Sequence, residues 1–179
     1  MTTSDLPLLF LDVDGPLVPF GATAQQLPGG YPTYANRGGA PGTGGNPLIR
    51  RINPAFGPRL LGLPCTLVWA TTWSSDANDC IGPWLGLPKL PVVEWPELNE
   101  EQAEEFVRDA VHWKTRTLVH WAAGRDFVWV DDGITDADRT WVAGHHRHHP
   151  GGALLHHVAP EVGLTDRDFE AITEWLAGR

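Results

Sequence analysis

The chain has 179 residues, with 22 acidic against 13 basic side chains and a formal charge of −9 at neutral pH. That length buries one substantial core and is short for two, so one domain over residues 1–179 is expected. The acidic balance makes a long polyanion a poor nonspecific partner, although a local basic patch or a bound metal ion can still recruit a phosphate.

No apolar run approaches the roughly 18 residues of a membrane-spanning helix. The N-terminal MTTSDLP has no basic segment leading into an apolar stretch and a cleavage site, so the expected protein is soluble and cytoplasmic. Cys65 and Cys80 show no paired spacing, which argues against a disulfide framework or zinc ribbon and for reduced thiols.

In chain order, Leu8–Val13 is a continuous apolar run, the pattern of a parallel strand covered on both faces. From Gly21 to Gly45 the chain is dense in Gly, Pro, Ala and Gln and has no usable period. It reads as a loop, set as an insertion at about residues 21–47, with two readings open: a lid over a site, or an unstructured connector. A helix is expected over Asn46–Leu61, a second buried strand over Thr66–Ala70, and helices over Asp76–Leu85, Glu100–Ala110 and Thr115–Ala123. Phe127–Val130 is a third strand and Ala153–Val158 a fourth. The last helix, Asp166–Ala177, has Thr165 as N-cap and Phe169, Ile172 and Leu176 on one face. Strands alternating with helices imply a doubly wound, three-layer α/β/α fold around a parallel sheet.

Two of these strands end in paired carboxylates, Asp12 with Asp14 in "LDVDG" and Asp131 with Asp132 in "WVDD". In an open parallel sheet, ligands bind beyond the carboxyl ends of the strands. Carboxylates gathered there repel and raise one another's pKa unless a cation sits among them. A hard divalent ion with oxygen ligands, most simply Mg2+, answers that requirement. The competing reading is that each pair caps a helix or solvates a turn.

"LDVDG" resembles the first motif of the haloacid-dehalogenase-like (HAD) phosphohydrolases, and three further pieces follow in the family's order. Thr71 ends a strand in "LVWATTW", Lys114 precedes a helix in "VHWKTRTLVHW", and "FVWVDD" is similar to the acidic fourth motif. "WATTW", "HWKTRTLVHWAAGR" and "GLTDRDFEAITEWL" more closely resemble the small HAD domains of Swiss-army-knife RNA repair proteins. The resemblance implies a Rossmannoid HAD fold with a minimal cap and an Mg2+-dependent phosphomonoester hydrolase.

On that resemblance, Asp12 is the nucleophile that forms an aspartyl-phosphate, and Asp14 protonates the leaving group and then activates water. Thr71 binds a phosphoryl oxygen and Lys114 neutralises developing charge. Asp131 and Asp132 hold Mg2+ with Asp12 and the backbone carbonyl of Asp14, the choice of direct ligand between Asp131 and Asp132 staying open. Gly15, Thr72 and Trp73 are substrate-contacting candidates. The expected substrate is a phosphorylated small molecule or a nucleic-acid end. The alternatives are an inactive phosphate-binding or scaffold protein and a phosphonate or sugar-phosphate mutase.

Several residues carry competing readings. Pro16 removes a backbone N–H from the turn after Gly15. Thr72 competes with Thr71 as the phosphate-binding hydroxyl. Asp136 and Asp138 face solvent or cap a helix, with support of the metal site as a further reading for Asp136. The tract from His145 to His157 reads as an exposed polar connector or a metal-binding run. Trp69, Trp129 and Trp175 are expected in the core. Trp73 packs, or stacks with Tyr31 and Tyr34 on a flat leaving group. Arg37, Arg50 and Arg51 grip a second phosphate or hydrate the loop.

Overall fold

The computed structural model describes residues 6–35, 46–97, 104, 108, 110–147 and 151–179. Its centre is a four-stranded sheet in the order β2-β1-β3-β4, formed by β1 (Leu8–Leu11), β2 (Thr66–Trp69), β3 (Phe127–Asp131) and β4 (Ala153–His157), with every pair parallel. All four expected strands form. Three stop one or two residues before their expected ends, while β3 runs one residue further, to Asp131.

Both faces of the sheet are covered, which is why the strands read as unbroken apolar runs. Successive side chains alternate between faces. Leu9, Leu11, Val128 and Val130 join one apolar cluster, together with Leu60 of α1 (Phe56–Leu61), Leu85 of α2 (Gly82–Leu85) and Phe169 of α5 (Asp166–Ala177). Leu8, Phe10, Phe127 and Trp129 join the other, with Leu118 of α3 (Thr115–Ala122) and Val142 of α4 (Asp136–His146). The result is an α/β/α sandwich of Rossmannoid form, with five α-helices among the described residues. Among the described residues, no helix is long and apolar enough to cross a membrane.

Local chemistry explains where the helices depart from expectation. The helix expected over Asn46–Leu61 is broken into a 3-10 turn, Pro47–Arg51, and α1. Pro54 lacks an N–H and drives Asn53 out of helical geometry, and Asn53 Oδ1 accepts the Ala55 N–H at 3.0 Å. The span Asp76–Leu85 is a π-helical turn, Ala77–Ile81, that leads into α2. The Glu100–Ala110 helix lies largely outside the described residues.

Helix α4 was not expected from periodicity. It is set by a capping box, in which Thr135 Oγ1 accepts the Asp138 N–H at 3.3 Å and Asp138 Oδ2 accepts the Thr135 N–H at 2.8 Å. Consequently the histidine tract is not one connector. His145 and His146 end α4, and His156 and His157 belong to β4.

Trp69 and Trp129 are core residues as expected, whereas Trp175 is only partly buried and lies under the Arg179 guanidinium at 4.5 Å.

Candidate active site

The chain passes from β1 outward to β2 and then crosses back to β3 on the other side of β1. The order therefore reverses between β1 and β3, and a crevice opens at their carboxyl ends. Asp12 leaves β1 at that crevice and Asp131 ends β3 beside it.

Alternation sets their direction. Asp131 follows Trp129 by two residues and shares its face, and Trp129 Nε1–H donates to Asp131 Oδ2 at 3.1 Å. That face is the one α3 covers, so Lys114, immediately before α3, meets both carboxylates. Its Nζ lies 2.7 Å from Asp12 Oδ2 and 2.8 Å from Asp131 Oδ2. All three residues are buried. Asp12 Oδ1 also accepts the Val13 N–H at 2.7 Å, and Asp131 Oδ1 accepts the Gly133 N–H at 2.8 Å.

Asp132 completes the group: one carboxylate oxygen from each of Asp12, Asp131 and Asp132 lies within 4.8 Å of the others. Burial pushes the Asp12 carboxyl up to about 7, and Asp131 adds to the rise while Lys114 opposes it. Burial and Asp131 also raise Asp132. Burial works against the charged form of Lys114, yet the two carboxylates more than compensate and hold its pKa above the ordinary value.

Three carboxylates against one ammonium leave a formal excess of two negative charges. This all-oxygen set suits a hard divalent cation. Mg2+ therefore fits the residues present, with Asp12, Asp131 and Asp132 as the side chains that would hold it.

Gly15 makes the close approach possible. Its φ is +84°, and a Cβ placed there would lie 2.6 Å from Asp132 Cγ. The turn does not need the N–H that Pro16 lacks: Gly15 N–H donates to Val18 O at 3.0 Å, and Leu17 and Val18 both donate to Val13 O. Asp14 is half-buried, and its Oδ2 accepts Trp73 Nε1–H at 3.0 Å.

Thr71 is fully buried and Thr72 is exposed. Thr71 Oγ1 accepts the Trp73 N–H at 3.3 Å, and Thr71 O accepts Trp95 Nε1–H at 3.0 Å. Trp95 and Trp113 meet edge to face at 4.7 Å, with Lys114 Nζ 5.9 and 5.6 Å from their ring centroids. Of the residues expected at the site, Asp12, Asp131, Asp132 and Lys114 are brought together, Trp73 bridges Asp14 and Thr71, and Thr72 is exposed.

Sequence reasoning offered Asp138 a helix-capping role, which the capping box bears out, but missed what else it supports. Asp138 is completely buried and braces the turn that carries Lys114: its Oδ1 accepts the His112 N–H at 2.7 Å and the Thr115 hydroxyl at 2.5 Å. Its signal was the Thr135-x-x-Asp138 spacing of a capping box. Asp136, by contrast, is exposed, 3.8 Å from Arg139. Trp95 carried no local signal, and His112 and Trp113 stood in the quoted Lys114 motif without a role read for them. Burial lowers the His112 pKa and favours the neutral ring, whose Nδ1 accepts the Lys114 N–H at 3.3 Å.

A cavity of 540 Å³ begins at Pro16 and Leu17, just past Gly15, and is walled by Tyr31, Tyr34, Arg51 and Phe56. Arg51 lies over the Tyr31 ring at 4.5 Å and donates to Pro19 O at 2.9 Å. Glu161 and Asp166 line it but Asp12, Asp14, Asp131 and Asp132 do not; it flanks the crevice. Arg37 lies outside the described residues.

A parallel sheet whose order reverses between β1 and β3, with carboxylates at the ends of those strands and a buried lysine just before α3, is the arrangement of a HAD-type domain. The chain belongs to the family described as the HAD domain in Swiss Army Knife RNA repair proteins, whose model matches residues 8–169. No curated protein and no solved structure shows significant similarity to the chain. Family membership supports a HAD-type phosphohydrolase, a class that typically uses Mg2+, and the buried acidic cluster is compatible with that chemistry.

Proposed function

We propose that this protein is an Mg2+-dependent phosphomonoester hydrolase that acts through Asp12, with terminal phosphates of nucleotides or nucleic-acid ends as its substrates. The observation that carries this reading is the convergence of Asp12, Asp131 and Asp132 within 4.8 Å, around a lysine that neutralises only part of their charge. Bound Mg2+ would supply positive charge to the phosphoryl oxygens and the attacking carboxylate.

The chain's own residues divide the remaining work. Asp12 attacks phosphorus and forms an aspartyl-phosphate, which splits one difficult displacement into two. Asp14 gives its proton to the departing oxygen and takes one back from the water that releases phosphate. Thr71, at the end of the neighbouring strand, offers a hydroxyl to a phosphoryl oxygen, and Lys114 balances the charge on Asp12 as the reaction proceeds. Gly15 and Trp73 border the substrate.

The nucleic-acid version of the reading is supported by the family description and by the cavity beside the turn, where Tyr31 and Tyr34 offer flat surfaces and Arg51 a cation to the leaving group. In this reading residues 1–179 act as one HAD-like domain, with the segment at about 21–47 serving as a substrate loop in place of a large cap.

The test is phosphate release from an aryl phosphate and from 3′- and 5′-phosphorylated oligonucleotides, with Mg2+ and with chelator, for wild type and Asp12→Asn. Mg2+-dependent release that the substitution abolishes is expected. Absence of release from every substrate would sink the reading in favour of a phosphate-binding protein.

A further inference from the structure

Asp14 leaves β1 in a turn whose backbone is pinned on both sides, by the Gly15–Val18 bond and by the two bonds to Val13 O. Its side chain is pinned too, from the loop after the neighbouring strand: Trp73 Nε1–H donates to Asp14 Oδ2 at 3.0 Å. Trp73 is itself seated. Its ring packs half-buried against the apolar cluster, and its backbone N–H reaches Thr71 Oγ1 at 3.3 Å.

The kind of partner matters. Lys114 serves Asp12 and Asp131, whereas the partner that reaches Asp14 is an indole, which donates a hydrogen bond and has no proton to exchange. An indole N–H fixes one carboxyl oxygen, Oδ2, and with it the direction of the other.

We propose that Trp73 is a positioning residue for proton transfer: its N–H holds Asp14 Oδ2 so that Oδ1 delivers the proton to the leaving group. The proposal rests on the phosphohydrolase reading above. In the first step the bond from phosphorus to the leaving oxygen breaks as the Asp12–phosphorus bond forms. The electron pair stays on the departing oxygen, which takes the Asp14 proton. In the second, water bonds to phosphorus, its proton passes to Asp14, and the Asp12–phosphorus bond breaks. Trp73 exchanges no proton in either step; it restricts the rotamer of the residue that does.

Help from a general acid matters most when the leaving group is basic. The test is therefore a series of substituted phenyl phosphates, similar in size, whose phenols run from strongly to weakly acidic. The slope of log kcat/KM against phenol pKa is compared for wild type, Trp73→Phe, Asp14→Asn and the double variant.

Loss of one hydrogen bond predicts that Trp73→Phe costs at most about twofold for the most acidic phenol and about tenfold for the least. The slope steepens, and the double variant has the slope of Asp14→Asn alone. A uniform fall across the series, which is what a packing or stacking role produces, overturns the proposal. So does a further steepening in the double variant.

Benzothienylalanine at position 73 keeps the bicyclic shape and deletes only the N–H, so it should reproduce the steeper slope even if Phe disturbs packing; a wild-type slope with this analogue overturns the proposal. A wild type that releases no phosphate from any phenyl phosphate or oligonucleotide instead overturns the underlying reading.

Discussion

Lys114 Nζ lies 2.7 Å from Asp12 Oδ2 and 2.8 Å from Asp131 Oδ2, so one ammonium ties together residues 102 and 17 positions away in the chain. Taking away one partner of a buried pair leaves charge without compensation and typically costs about 3–5 kcal/mol. Lys114→Met should fall in that range by urea denaturation in chelator, and Mg2+ should recover part of the loss. Phosphate release should fall to near background. A variant as stable as wild type in chelator would show that the two carboxylates do not depend on Lys114.

Gly15 is required by φ and by space, because a Cβ would lie 2.6 Å from Asp132 Cγ. Strained backbone of this kind costs roughly 1–3 kcal/mol in a residue with a side chain. Gly15→Ala should therefore lower stability by about that amount and displace Asp132. An Mg2+ titration of activity checks the second part: the concentration giving half-maximal rate should rise. Unchanged Mg2+ dependence in a folded variant would separate Asp132 from the metal.

Asp138 and Asp136 stand two residues apart with opposite expected effects. Asp138→Ala leaves the His112 N–H, the Thr115 hydroxyl and the Thr135 N–H without their acceptor. Buried donors left unmatched cost about 1–3 kcal/mol each, so a loss of at least about 2 kcal/mol is expected. Activity should fall as well, because the Lys114 turn loses its brace. Asp136→Ala, at an exposed side chain, should leave activity unchanged and stability within about 0.5 kcal/mol.

The pH dependence of stability should carry a contribution from Asp168. Burial alone would raise this carboxyl, but the Thr165 hydroxyl, the His156 ring and the Thr165 N–H together bring it below 3.8. A depressed folded pKa means that the folded state binds its proton later than the unfolded state. The stabilisation is thus complete above 3.8 and is lost as pH falls through the lowered folded value. In thermal melts across pH, wild type should exceed Asp168→Asn at neutral pH, and the gap should close in acid. A gap independent of pH would assign the effect to shape rather than charge.

How much was legible in advance differs between the sheet and the site. A strand covered on both faces announces itself in four consecutive residues, as Leu8–Leu11 and Thr66–Trp69 do. The order of Asp12, Thr71, Lys114 and Asp131 along the chain, each next to a strand or helix, was enough to indicate the family. Helix Asp166–Ala177 carries its cap and its apolar face within a dozen residues, and its boundaries were recovered unchanged. Helix Asp136–His146 has its signal in the Thr135-x-x-Asp138 capping box rather than in a long apolar face, whereas the second use of Asp138, under the Lys114 turn, is one that only spatial neighbours reveal.

By itself, then, the sequence determined the elements and the ends of strands at which charge collects, because a side-chain period of two and a capping box are read over a few residues. The tertiary structure alone decided the partners: Lys114 between Asp12 and Asp131, Trp73 on Asp14, Asp138 under the lysine turn, and Gly15 against Asp132. Those pairings depend on the strand order β2-β1-β3-β4 and on which face α3 covers. The physical reason is that strand order and helix placement follow from burying apolar surface over the whole domain, and no short stretch of chain encodes that balance.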